Sequence, residues 1–484
     1  MTRAPSVARR RESRAAAQAI RRTRRRAPLV AVAAAPLVAF PAVADAHGLA
    51  QRSNLPIPEW LFGWAATIVL VASFAALAAL WPTPRLERPS WRPLPGGLGS
   101  ALGSTAVEWA CRAIGVALLA LVIAAGYAGE ATALDNLAPT FILIIFWVGL
   151  VFVSALFGNV FRAFSPWRAF RFRGIREYPS KLGRYPAAVG LFVFTWIELV
   201  SGWGDAPSSL TTAAVVYTVY TLAAQFVYGT DDWSRNGETF SVYFGLFARI
   251  SPLETRERVV GIRPPLGGLP SLEPLPGTVL FECVMIGTVT FDGLSQGEAW
   301  RSVSVDMVDA VNALGIGLDA AVKVVDTIGL ALGVGLVTGF YRLGIDGAHS
   351  VGGGLSAQRL RRGFIHTLVP IAMVYVAAHY LTFLLFEGQA IGYLASDPFG
   401  RGWDLFGTAS ASIDFNWLSQ NAAWYLQVAF VVCGHVAALA LAHDRALVLY
   451  GQAKLAVRSQ YWMLGVMVGF TTLALWLLAQ AGVS

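Results

Sequence analysis

Apolar residues run through this chain in blocks of about twenty, separated by short stretches rich in Arg, Gly and Pro. A helix crossing the hydrocarbon core of a bilayer takes ~20 mostly apolar residues, and ten blocks approach that length. They cover 61–81, 106–127, 139–161, 186–203 and 210–229, then 277–292, 324–343, 363–386, 421–443 and 461–482. Block 277–292 is the shortest and carries Glu282. The piece 239–250, TFSVYFGLFARI, is too short to cross and predicts an interfacial or re-entrant helix. The pattern therefore predicts an all-α fold, a polytopic transmembrane helical bundle of about ten spans, with 47–484 as one membrane domain.

The amino terminus reads differently. Ten Lys and Arg fall within the first 26 residues, followed by the apolar stretch 29–43 and the small-residue triplet Ala44-Asp45-Ala46. This layout is that of a cleavable secretory signal peptide over 1–46. Cleavage there would leave His47 as the mature amino terminus, outside the cell membrane. A terminal His offers an amine and a ring nitrogen to copper, given a second His nearby.

Composition supports the membrane reading. Hydrophobic residues make up 56% of the 484 and charged residues only 14%, against about 25% charged in soluble domains. The net charge of +8 does not point to nucleic acid, because the cations are placed topologically. The loops 82–105, 162–185, 230–276, 342–362 and 444–460 hold 22 Lys and Arg, whereas the alternate segments hold Arg52, Arg301, Lys323 and Arg401. Positive charge stays on the cytoplasmic side, so those five loops are expected inside a cytoplasmic (inner) membrane. The opposite segments are acidic, which suits either a solvated face or a vestibule that attracts cations.

Ionisable residues inside spans are costly and by default mark a site. The intramembrane candidates are Glu198, Glu282, Asp292, His366 and His379. A second set, His435, His443 and Asp444, could ligate a divalent metal. Glu108 and Arg112 are four apart and can pair on one helix. Gly329 and Gly333, and Gly335 and Gly339, form two small-residue pairs that favour close helix packing. At ~1.5 Å per residue, His379 stands about 24 Å above the inner end of its span and His435 about 12 Å above the inner end of its own. That difference in height does not suit one upright haem. Cys111, Cys283 and Cys433 are isolated in apolar runs, and no C-x-x-C pair, H-E-x-x-H or Walker A sequence occurs.

Three stretches, 47–62 (HGLAQRSNLPIPEWLF), 290–300 (TFDGLSQGEAW) and 417–447, resemble polytopic bacterial membrane proteins called fenitrothion hydrolases. That resemblance implies cleavage of an organophosphate ester at the membrane, with Asp292, His435, His443 and Asp444 in the similar segments. Three functions are thus expected in order: movement of a small solute or ion through a polar intramembrane site, a membrane-bound hydrolase, and a copper or haem redox subunit.

Overall fold

The computed structural model describes residues 59–480 apart from positions 89 and 205. The expected signal peptide and His47 lie outside the described residues. Helices dominate the described residues, as hydrocarbon demands: each unsatisfied backbone group there costs several kcal/mol, and a helix satisfies its own. The longer helices are α1 (Glu59–Leu80), α2 (Thr105–Ala128), α3 (Leu137–Phe157), α4 (Tyr185–Leu199), α5 (Pro207–Tyr228) and α6 (Thr239–Phe247). There follow α7 (Thr278–Ser295), α8 (Glu298–Val311), α9 (Leu318–Ser350), α10 (Ala357–His379), α11 (Leu381–Ser396), α12 (Gln420–Tyr450) and α13 (Ala453–Gln480).

Eight of these, α1, α2, α3, α5, α7, α9, α12 and α13, are long and apolar enough to cross a membrane. The expected span 363–386 is broken instead: α10 and α11 meet at Tyr380 with a bend of 59°. The expected span 186–203 keeps only 15 helical residues in α4, because the chain leaves the helix at Val200. Val200 and Ser201 remain buried there, and the Ser201 hydroxyl donates to the Ile197 carbonyl. Irregular backbone at such depth is tolerated where protein covers it.

Three short strands are the only ones among the described residues. They are β1 (Arg92–Pro93), β2 (Leu253–Arg256) and β3 (Val259–Ile262), in the antiparallel order β1-β3-β2. The sheet ties the loop after α1 to the loop after α6, two loops whose Arg content predicts the same side.

The most enclosed of the spanning helices is α7, with 78% of its apolar window buried against 17% for α1. Exposed Trp60, Trp64, Ile68 and Val71 on α1 mark a lipid-facing surface. Segment 239–250 does form a helix, α6, and it is buried within the bundle. The Glu238 side chain caps its amino end by accepting from the Phe240 and Ser241 amides at 2.9 and 2.7 Å. Its Tyr243 stacks on Trp147 of α3 at 4.7 Å, and its Phe240 and Phe244 pack edge-on against Phe146.

Of the two glycine pairs, only one lies at a helix contact. Gly329 and Gly333 face α7, where Gly287 comes so close that a Cβ on it would stand 2.5 Å from the Val334 Cα. Gly335 and Gly339 face open space.

Candidate functional site

Asp292 lies near the far end of α7, and the break between α10 and α11 brings two polar side chains to it. His379 is the last residue of α10 and Tyr380 the hinge residue. The His379 Nε2 lies 2.8 Å from Asp292 Oδ2, and the Tyr380 hydroxyl donates to the same oxygen at 2.8 Å. All three are buried. Buried polar groups are stabilised by such mutual bonding and are expensive when left without it. Glu198, at the end of α4, is near enough to Tyr380 and Tyr243 to act on both electrostatically. The sequence placed Asp292 and His379 among separate candidates; the fold joins them and adds Tyr380.

A cavity of ≈ 20 Å³ adjoins this group, lined by Gly293, Tyr375 and His379 and by aliphatic Val289, Val431 and Leu477. That is room for about one water. A Cβ on Gly293 would stand 3.7 Å from His379 Nδ1. The ring therefore turns Nε2 to the carboxylate and Nδ1 towards the cavity wall.

Glu282 is the second carboxylate of α7, ten residues before Asp292 and so about 15 Å along the axis. It is fully buried, and neither oxygen has a hydrogen-bond partner among the described residues. Arg184 and Arg249, from the loops expected on the inner face, act on it electrostatically.

The remaining candidates separate. His366 is buried and hydrogen-bonded to the Gly363 backbone, and its Nε2 has no partner among the described residues. His435 spends Nδ1 on the Val431 carbonyl at 2.7 Å, and its Nε2 has no partner among the described residues. It lies beside Tyr375 and Phe470 rather than with His443.

His443 and Asp444 serve the loop that follows α1. Gln460 donates to His443 Nδ1 at 3.2 Å, so Nε2 carries the proton given to the Trp81 carbonyl at 2.9 Å. Asp444 accepts four bonds: from the Trp81 indole (2.9 Å) and from the amides of Arg85 (2.6 Å), Leu86 (2.9 Å) and Glu87 (3.0 Å). Arg445 completes the clamp with an ion pair to Glu87 at 2.7 Å and a bond to the Pro270 carbonyl at 2.7 Å. Three consecutive residues thus hold one loop. Among the described residues no group of three or more His, Cys, Asp or Glu stands where one metal ion could take them together, so the structure does not assemble His435, His443 and Asp444 into a metal centre.

The chain matches no family model, no curated protein and no solved structure.

Proposed function

We propose that this membrane protein moves protons through the bundle, with Asp292 and His379 at the centre. The observation that carries this reading is α7 itself, the most enclosed spanning helix, which holds two buried carboxylates at different depths. Ionisable groups kept in a span face a path or a partner; Asp292 has His379 as its partner, and His379 in turn lines a water-sized cavity. A cavity of that size suits a water-borne proton rather than a bulky solute. In the step we infer, an excess proton relayed through a cavity water, which is left neutral, reaches His379 Nδ1. The imidazole then passes its Nε2 proton to Asp292 Oδ2, and the Tyr380 hydroxyl holds that oxygen in place. Glu282 is the second station, nearer the Arg184 and Arg249 charges.

The test is proton uptake into vesicles carrying the full chain, driven by an imposed membrane potential and read with an internal pH dye. The wild type should exceed protein-free vesicles. Asp292→Asn should slow uptake about a hundredfold, the lower end of what a positioned proton-transfer group contributes. Gly293→Ala is the companion variant, since its methyl would meet His379 at ordinary contact distance while occupying cavity space. It should fold normally and still conduct less. Uptake no faster than protein-free vesicles, or full uptake by Asp292→Asn, would overturn the assignment.

We also infer ten crossings of a cytoplasmic membrane, with α4 and the bent α10–α11 pair each counting once and the Arg-rich loops inside. Three contacts support this reading. The sheet requires an even number of crossings between β1 and β2, and α2, α3, α4 and α5 supply four. The Arg445–Pro270 bond likewise spans α7, α9, α10–α11 and α12. The Asp444 clamp on residues 81–87 spans all eight. In a variant lacking Cys111, Cys283 and Cys433, a membrane-impermeant thiol reagent added outside should label Ser412→Cys and spare Arg176→Cys. The reverse labelling would invert the topology.

A further inference from the structure

The geometry points to a binding site for the phosphate of an anionic lipid headgroup, built where the amino end of α2 meets residues 162–171 and the β2–β3 turn. The site is independent of the proton path. Arg112 is its buried member. One guanidinium nitrogen is bonded to Glu108, but Nε and Nη1 have no hydrogen-bond partner among the described residues, although the side chain is only 4% exposed. Glu108 is also approached by Arg171 and Arg258, both at 3.6 Å, too far for a good hydrogen bond. Arg168 pairs with Asp231 at 2.6 Å, which holds that carboxyl below its usual range. Arg162 lies close enough to feel Arg168, Asp231 and Glu108.

Five guanidinium groups therefore gather around two carboxylates. Of these, Arg112 and Arg168 are buried; Arg112 is seven residues into α2, about 10 Å from its end, which is the depth from which an Arg reaches back to the headgroups. Arg112 and Arg171 lie over the Trp109 ring, at 5.3 and 5.4 Å from its centroid, and Trp109 is exposed on the lipid side of the helix. Tryptophan prefers this interfacial level. Arg171 and Arg258 are half-exposed and supply the donors, with Arg258 Nη1 already given to the Thr105 hydroxyl at the start of α2. A phosphate bridging them would leave Glu108 to Arg112 alone and balance the surplus. A phosphate group suits Arg forks better than a carboxylate shared among three.

The site is rigid. A Cβ on Gly115 of α2 would collide with the Phe164 carbonyl, so helix and loop touch backbone to backbone.

The experiment is native mass spectrometry of the detergent-solubilised full chain, titrated separately with phosphatidylglycerol, phosphatidylcholine and inorganic phosphate. Phosphatidylglycerol should be retained in preference to phosphatidylcholine. Arg171→Gln and Arg258→Gln should each weaken it about fivefold, the worth of one Arg near an anionic surface, and the double variant roughly twenty-five-fold. Both side chains are half-exposed, so neither change threatens folding. Arg176→Gln, which removes the same charge from the same loop outside the cluster, should leave retention unchanged. An equal loss on Arg176→Gln, or equal retention of the two lipids, would overturn the site. Binding of inorganic phosphate without retention of phosphatidylglycerol would overturn the lipid assignment.

Discussion

Asp444→Ala should be among the most destabilising single changes in the described bundle, costing about 3–5 kcal/mol, as expected for deleting one partner of a buried charged network. The carboxylate is 1% exposed and receives three consecutive backbone amides and an indole. Alanine would leave those donors facing each other with nothing to accept them. The loop is partly exposed, so water can rescue some of them, which keeps the expected cost near the lower part of that range. Asn would keep one acceptor oxygen and should lose about half as much. His443→Ala should cost less than Asp444→Ala, because its bonds are fewer and neutral. Reversible unfolding of each variant in mixed micelles, followed by helical content, gives the ranking. Protease cleavage within residues 82–88 of folded Asp444→Ala, absent in the wild type, would locate the damage. An Asp444→Ala protein as stable as His443→Ala would show that the loop is held by something other than this carboxylate.

The same residue shows where sequence reading stops. A His-Asp-Arg triplet at a helix end is compatible with a metal ligand set, a proton relay or a cap, and spacing along one helix does not choose among them. The choice is made by residues 81–87, more than 350 positions away, and no local periodicity announces that contact. The spans were legible for the opposite reason: lipid imposes a length and a composition on every crossing segment, whatever its neighbours. The departures follow from the same logic. Segments α4 and α10–α11 are shorter or bent because protein, not lipid, covers their ends, and hydropathy cannot distinguish those surroundings.

The candidate site was legible in parts. Depth along a helix can be counted from sequence, and Asp292, at the end of its span away from the Arg-rich loops, and His379, about 24 Å up another, share a level. Azimuth cannot be counted across helices, so their contact stayed hidden. Tyr380 gave no signal, since a Tyr in an apolar run is ordinary. Gly287 was missed because its small neighbour lies on another helix, whereas Gly335 and Gly339 satisfied the spacing rule while facing nothing.

Gly287→Ala should destabilise the bundle by about 3 kcal/mol, towards the upper part of the range for overpacking. The added Cβ would stand 2.5 Å from the Val334 Cα and 2.7 Å from its nitrogen. Those are backbone atoms, so no side chain can swing aside and α7 must move away from α9. Asp292 lies five residues on, about 7.5 Å along the same helix, and its bonds to His379 and Tyr380 tolerate little displacement. The variant should therefore lose proton uptake as well as stability. Gly335→Ala on α9 is the matched control, with nothing within 4 Å of its Cβ. It should stabilise by about 0.5–1 kcal/mol, since Ala gives up less freedom than Gly on entering a helix. Opposite signs at two glycines of one helix pair, measured by unfolding in mixed micelles, would attribute the effect to contact with α7. Equal shifts would attribute it to helix propensity alone and remove the argument that α7 is fixed in place by its glycine contact.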